Sequence, residues 1–271
     1  MMRIFMRAVF IMLLATSSCL AQENPIRQLF QSILTQPAAM PSTEQLFSTV
    51  NETTVGALPA AEVAAILPLA RQCLQSANNV VRQDGLILLI AVVTRPDSAK
   101  VLEPYIDDLG ALLSGPEGAI SLRHGALYVL GSLKPTLPPK AIAHLNAHLE
   151  ESRNSDEETL TIAASLLDSA PTDAAIVHKT LLVVSQRPDP GLTGGVLRQL
   201  GLNKTRVPEA LDFIGKNLSH ADPNVRASAV DAASRLDRDV RKQFTAQLSR
   251  ILSDPSESEH MRSQARLALQ P

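Results

Sequence analysis

His144 and His148 stand four residues apart, a spacing that puts two imidazoles on one face of a helix and suits a shared zinc ion. His178 follows His144 by 34 residues, so in a chain of stacked repeats it would fall at the equivalent place one unit on. Together the three outline a metal-dependent hydrolase. A metal-bound water also needs a general base, however, and the residue directly after His144 is Leu145 instead of the Glu of the H-E-x-x-H motif. The competing reading makes these histidines polar residues on the solvated face of outer helices. Glu150, Glu151, Asp156, Glu157 and Glu158 read more simply as a solvated loop and the acidic start of a helix than as a catalytic carboxylate pair. Cys73 has no His near it in sequence, no Ser sits in a nucleophile elbow, and no glycine-rich phosphate loop follows a strand. The expectation is therefore a protein that is not an enzyme, with no metal and no cofactor. Asn51, Asn203 and Asn217 open N-x-S/T triplets, which matter only in a eukaryotic secretory route.

The elements that carry these residues follow a repeated phrase: an aliphatic anchor, usually a basic or hydroxyl residue directly after it, and a small residue at the anchor plus four. The copies begin at Val81, Leu122, Leu160, Leu192, Val225 and Met261, with Gly85, Ala126, Ala164, Val196, Ala229 and Ala265 four residues on. Successive anchors lie 41, 38, 32, 33 and 36 residues apart, the range of stacked helical repeats. At plus eight stand Leu89, Leu130, Asp168, Leu200, Ala233 and Leu269, so a buried stripe is predicted everywhere except at Asp168, which marks an early helix end. Helices are predicted over 59–75 with 78–93, 98–113 with 117–133, 139–149 with 156–167, 173–185 with 190–200, 208–218 with 223–236, and 239–252 with 257–269. Asp189-Pro190, Asp222-Pro223 and Asp254-Pro255 each place an N-cap carboxylate before a proline suited to the first helical turn. The unbroken apolar run 86–93 is read as buried helix, because no second strand is available to pair with it. The predicted fold is all-α: a right-handed α-solenoid of about six stacked antiparallel helix pairs.

Ahead of the pairs, Ile26, Leu29, Phe30, Ile33 and Leu34 follow helical spacing, and Leu46, Phe47 and Val50 mark a second short helix. Residues 22–57 are thus expected to form an N-terminal helical cap and 58–271 the solenoid, since a stack needs its end closed. Residues 1–21 read as a secretory signal peptide: Arg3 and Arg7 precede an apolar run over 8–15, and Cys19 and Ala21 suit cleavage before Gln22. The run is too short to span a bilayer, so no transmembrane segment is expected in the mature chain. The alternative is lipidation of Cys19, giving an anchored envelope assembly factor, against which Thr16 stands where such a site normally has Leu. Loss of Arg3 and Arg7 moves the formal charge from -2 to -4, which offers no basic field for nucleic acid. With no Trp, two Tyr and six Phe, stacking platforms for bases or sugars are also scarce.

The segment Asp222-Pro223-Asn224-Val225-Arg226-Ala227-Ser228-Ala229 resembles the second helix of a HEAT repeat. Asn78 with Val81-Arg82, and Met261-Arg262 with Ala265, are partial matches, and Thr193 stands where the family has Arg. The resemblance implies that Asp222, Arg82, Arg123, Arg226 and Arg262 are structural, stitching neighbouring repeats by hydrogen bonds. It also makes the kink expected at Pro68 familiar. Tetratricopeptide repeats are the rival, but they use aromatic residues that this chain lacks. Second helices line the concave surface of HEAT arrays, which makes the anchor plus two and plus six the expected binding row. That row includes Gln83, Ile87, His124, Tyr128, Arg198 and Asp231, with Ile162 and Leu166 in the third copy; the alternative is that neighbouring helices bury its apolar members Ile87, Tyr128 and Leu166 completely. The function expected is an exported, monomeric scaffold that binds a protein or peptide partner.

Overall fold

The computed structural model describes residues 24–36, 41–115, 120–151 and 154–270. The predicted signal peptide, Cys19 and the start of the helix expected from 117 lie outside these. Among the described residues there is no strand, and the chain is an all-α solenoid. No helix there is long and apolar enough to cross a membrane. The chain forms two compact units, Met1–Ala91 and Val92–Pro271.

In the first unit, α1 (Pro25–Thr35) packs on α4 (Ala60–Leu74), burying Ile26, Phe30 and Ile33. Between them run α2 (Thr43–Thr49) and α3 (Glu52–Gly56), the latter started by a capping box in which Asn51 and Thr54 satisfy each other's amides. The helix α4 contains Pro68 and pairs with α5 (Asn79–Val93), the helix that carries the 86–93 apolar run. Gly85 on α5 is required by close approach: a Cβ there would stand 2.7 Å from Cys73 Cβ and 2.8 Å from the Ala70 carbonyl oxygen. Burial, with the nearby Asp84 charge, pushes the Cys73 thiol up to about 12, so it is an inert core residue.

Asp84 is itself 7% exposed, and burial raises its carboxyl above the usual 3.8. A carboxyl that holds its proton more tightly when folded loses folding free energy as pH rises from about 4 through the raised value. Replacing it by a neutral amide should remove that loss. Asp84→Asn is expected to raise the melting temperature at pH 7 and to lose this advantage near pH 4; a lower melting temperature at pH 7 would show that the charge is needed.

The second unit opens with α6 (Ser98–Leu102), which leads through a 3-10 turn into α7 (Ile106–Leu113). Thereafter come α8 (Ile120–Gly131), α9 (Pro139–His148), α10 (Asp156–Ser169), α11 (Ala174–Ser185), α12 (Pro190–Leu202), α13 (Pro208–Asn217) and α14 (Pro223–Arg235). The short α15 (Arg238–Arg241) and a 3-10 turn precede α16 (Thr245–Ser253), and α17 (Glu259–Leu269) ends the described chain. Antiparallel partners are α7 with α8, α9 with α10, α11 with α12, α13 with α14, and α16 with α17. The second members, α8, α10, α12, α14 and α17, touch in succession and form one layer. At Gly201 a Cβ would approach the Ala232 Cα to 2.6 Å, so the absence of a side chain there lets α12 and α14 pack at backbone distance.

Asp189 and Asp222 cap α12 and α14 as predicted, each accepting amide protons two or three residues on. Asp254 does not. It ends α16, its Oδ1 accepts from the Ser256 amide at 2.9 Å, and Ser258 caps α17 instead. The buried positions also correct the third copy of the repeat. In α12, Leu192, Val196, Leu197, Leu200 and Gly201 are buried. In α10 the equivalent pattern falls on Glu158, Ile162, Ala163, Leu166 and Leu167. The third anchor is therefore Glu158, not Leu160, and the flanking spacings become 36 and 34 in place of 38 and 32. Ile162 and Leu166, expected on the outward row, are core residues, whereas Asp168 lies exposed in the last turn of a helix that runs to Ser169.

Candidate binding face

A carboxylate at an aliphatic anchor position must be neutralised where it is buried. Glu158 is 5% exposed and uses both oxygens: Oε2 accepts the Ser155 amide at 2.9 Å, closing a capping box, and Oε1 lies 3.3 Å from Arg123 Nη2. The same Nη2 donates to Asn154 Oδ1 at 2.8 Å and lies 3.5 Å from His148 Nε2. Arg187, from the following pair, donates to the Asn154 carbonyl at 2.8 Å and to Asp156 at 3.2 Å. A buried polar network thus joins three successive pairs, with Arg123 at its centre.

The other arginines of the expected ladder divide. Arg226 holds Glu257 of the next pair through two hydrogen bonds, at 2.7 and 3.0 Å, and donates to the carbonyls of His220 and Ala221. That bidentate pair raises its affinity for protons further. Asp222 does not reach a neighbouring repeat; its carboxylate is used in capping its own helix, at Asn224 and Val225. Arg82 bonds to Asn79 on its own helix, and the Arg262 side chain makes no hydrogen bond or ion pair among the described residues.

The histidines are not brought together as a ligand set. His144 Nε2 lies 3.1 Å from Asp107 Oδ1, beside Lys140 Nζ at 2.8 Å from the other oxygen. These hydrogen bonds, Lys140 first, hold the Asp107 carboxyl below its usual range. His148 is 3% exposed, with Glu151 at 2.6 Å from Nδ1 and the Arg123 guanidinium on its other nitrogen, a poor place for a further cation. His178 is exposed on α11. Among the described residues no three His, Cys, Asp or Glu side chains group around a possible metal position.

The second-helix layer instead presents a row of hollows. One, of about 200 Å³, is lined by His124, Leu127, Tyr128, Glu157, Glu158 and Thr161. A second, of about 330 Å³, shares Tyr128 and adds Val93, Gly131, Lys134, Thr136 and Asp168. A third, of about 210 Å³, includes Arg198, Ser228, Asp231, His260 and Gln264. Of the residues expected to bind, His124, Tyr128 and Arg198 are exposed and Asp231 is half-buried, all in this layer. Gln83 and Ile87 are half-buried on α5. Lys134, Glu157, Thr161, His260 and Gln264 were not anticipated, because each lies off the plus-two and plus-six positions. The detectable signal was that a hollow between two helices is also walled by the start of the following one.

This fold and face define a helical-repeat protein. No protein-family model matches the chain, and no curated protein matches it. Among solved structures, an engineered protein shares the fold with a TM-score of 0.54 at 15% identity, over 90% of this chain and 67% of its own. A computationally designed armadillo repeat protein for modular peptide recognition scores 0.43 at 15% identity, covering 90% of this chain and 98% of its own. The TOG3 domain of Drosophila melanogaster Mini spindles scores 0.43 at 14% identity, covering 78% and 92%.

Proposed function

We propose that this chain is an exported, non-catalytic HEAT-like repeat protein that acts as a monomer and holds an extended segment of another protein across its second-helix layer. The observation that carries the reading is Tyr128. It is 46% exposed on a helix whose neighbouring Leu127 and Val129 are buried, and it is the shared wall of two adjacent hollows. A rigid aromatic side chain so placed offers large contact area at small entropic cost, as binding hot spots do. The export part rests on Arg3, Arg7 and the apolar run after them.

Selection of peptides from a random display library on the whole protein tests the binding. Tyr128→Ala is expected to weaken selected peptides about tenfold, while shifting the melting temperature by no more than about 2 °C. Unchanged affinity would remove Tyr128 from the site, and a large thermal loss would make it a core residue. Mass spectrometry of the native N-terminus tests export separately: a chain beginning at Gln22 supports it, acylated Cys19 makes it an anchored protein, and an intact Met1 refutes it.

A further inference from the structure

The third hollow of the second-helix layer brings together charged and polar side chains from three helices. Its acidic wall residue, Asp231, is already engaged: Arg235 Nε, one turn along α14, donates to its Oδ2 at 2.9 Å. Ser228 Oγ likewise donates to the Asn224 carbonyl at 3.0 Å. Three donors lining the same hollow, Arg198 from α12 and His260 and Gln264 from α17, have no hydrogen-bond or ion-pair partner among the described residues. Gly194 lies beneath Ser228, where a Cβ would stand 2.9 Å from Ser228 Oγ.

A guanidinium and two further donors lining one hollow of about 210 Å³ complement an anionic oxygen pair. With Asp231 paired to Arg235, Arg198 is the one uncompensated charge among the lining residues, which suits a monoanion better than a phosphate dianion. Resting on the peptide-binding reading above, we infer that this hollow receives the side-chain carboxylate of an Asp or Glu in the bound segment, held by Arg198 and flanked by His260 and Gln264.

The same display selection tests this with its own readout. Selected peptides should be enriched in Asp or Glu at one position, and selection on Arg198→Glu should replace that preference by Lys or Arg. For one isolated acidic peptide, Arg198→Ala should cost at least about tenfold in affinity. Converting that peptide's carboxylate to the amide should cost as much on the parent protein and little more on the variant, as coupled partners require. Peptides selected without acidic enrichment, or an amide conversion that costs the same whatever residue occupies position 198, would overturn the carboxylate site while leaving peptide binding intact. Failure to select any peptide would overturn the broader reading, and this inference with it.

Discussion

Arg123→Ala should destabilise the Val92–Pro271 unit by about 3–5 kcal/mol, the cost of removing one partner from a buried ion pair. Arg123 is 3% exposed, and its loss leaves Asn154 Oδ1 without its donor and the Glu158 carboxylate with only the Ser155 amide and, at 3.4 Å, Nε2 of the exposed His124. Arg123→Lys should rescue little, because a point ammonium on a flexible stem lacks the planar fork of donors that guanidinium presents. The informative comparison is the double substitution Arg123→Met with Glu158→Leu. Val81, Leu192, Val225 and Met261 show that an aliphatic residue is at home at this anchor. Replacing the whole pair by apolar side chains should therefore recover part of the lost stability, less about 1 kcal/mol for the capping box that Glu158 completes with Ser155 and roughly a further 1–3 kcal/mol for the buried Asn154 Oδ1, which lacks its Arg123 donor in both variants. Urea denaturation followed by helical circular dichroism measures all three. A single-variant loss below about 1 kcal/mol would place Arg123 among weak surface pairs instead.

This pair also explains where reading the sequence stopped. Helices, their pairing and most of the buried stripe were legible, because small residues such as Ala126, Ala229 and Ala265 recur at fixed spacing from aliphatic anchors and are buried there. The caps Asp189 and Asp222 were legible for a related reason: a side-chain carboxylate satisfies amides that the helix start leaves open. Glu158 was not. A carboxylate breaks the aliphatic pattern, the next apolar residue is Leu160, and the guanidinium that neutralises Glu158 stands a full repeat earlier at Arg123. The proposed binding face was legible only in part, since Tyr128 and Arg198 follow from helical rotation alone. The third hollow draws on α12, α14 and α17 at once, and no single-helix period relates Arg198 to His260.

The corrected register makes a second large effect expected, at Leu166. If Leu160 were the anchor, Leu166 would stand at plus six, on the outward row with Tyr128 and Arg198, and its truncation would alter binding with little effect on folding. With Glu158 as anchor it stands at plus eight, in line with Leu130 and Leu200, and its side chain is fully buried. Leu166→Ala should then cost about 2–5 kcal/mol, the transfer term plus the cavity that the packed helices cannot close. Leu267 supplies the control. It occupies plus six of the last copy and is 51% exposed, so Leu267→Ala should change stability by no more than about 0.5 kcal/mol. The same side chain is removed in both cases, which cancels most of the difference in intrinsic helix propensity. Comparable small losses at both positions would restore Leu160 as the anchor and place Leu166 on the binding face. A large loss at Leu166 alone removes it from the proposed binding row, which then runs from Tyr128 past Ala164 to Arg198, with the half-buried Leu160 packed over Gly195 beside it.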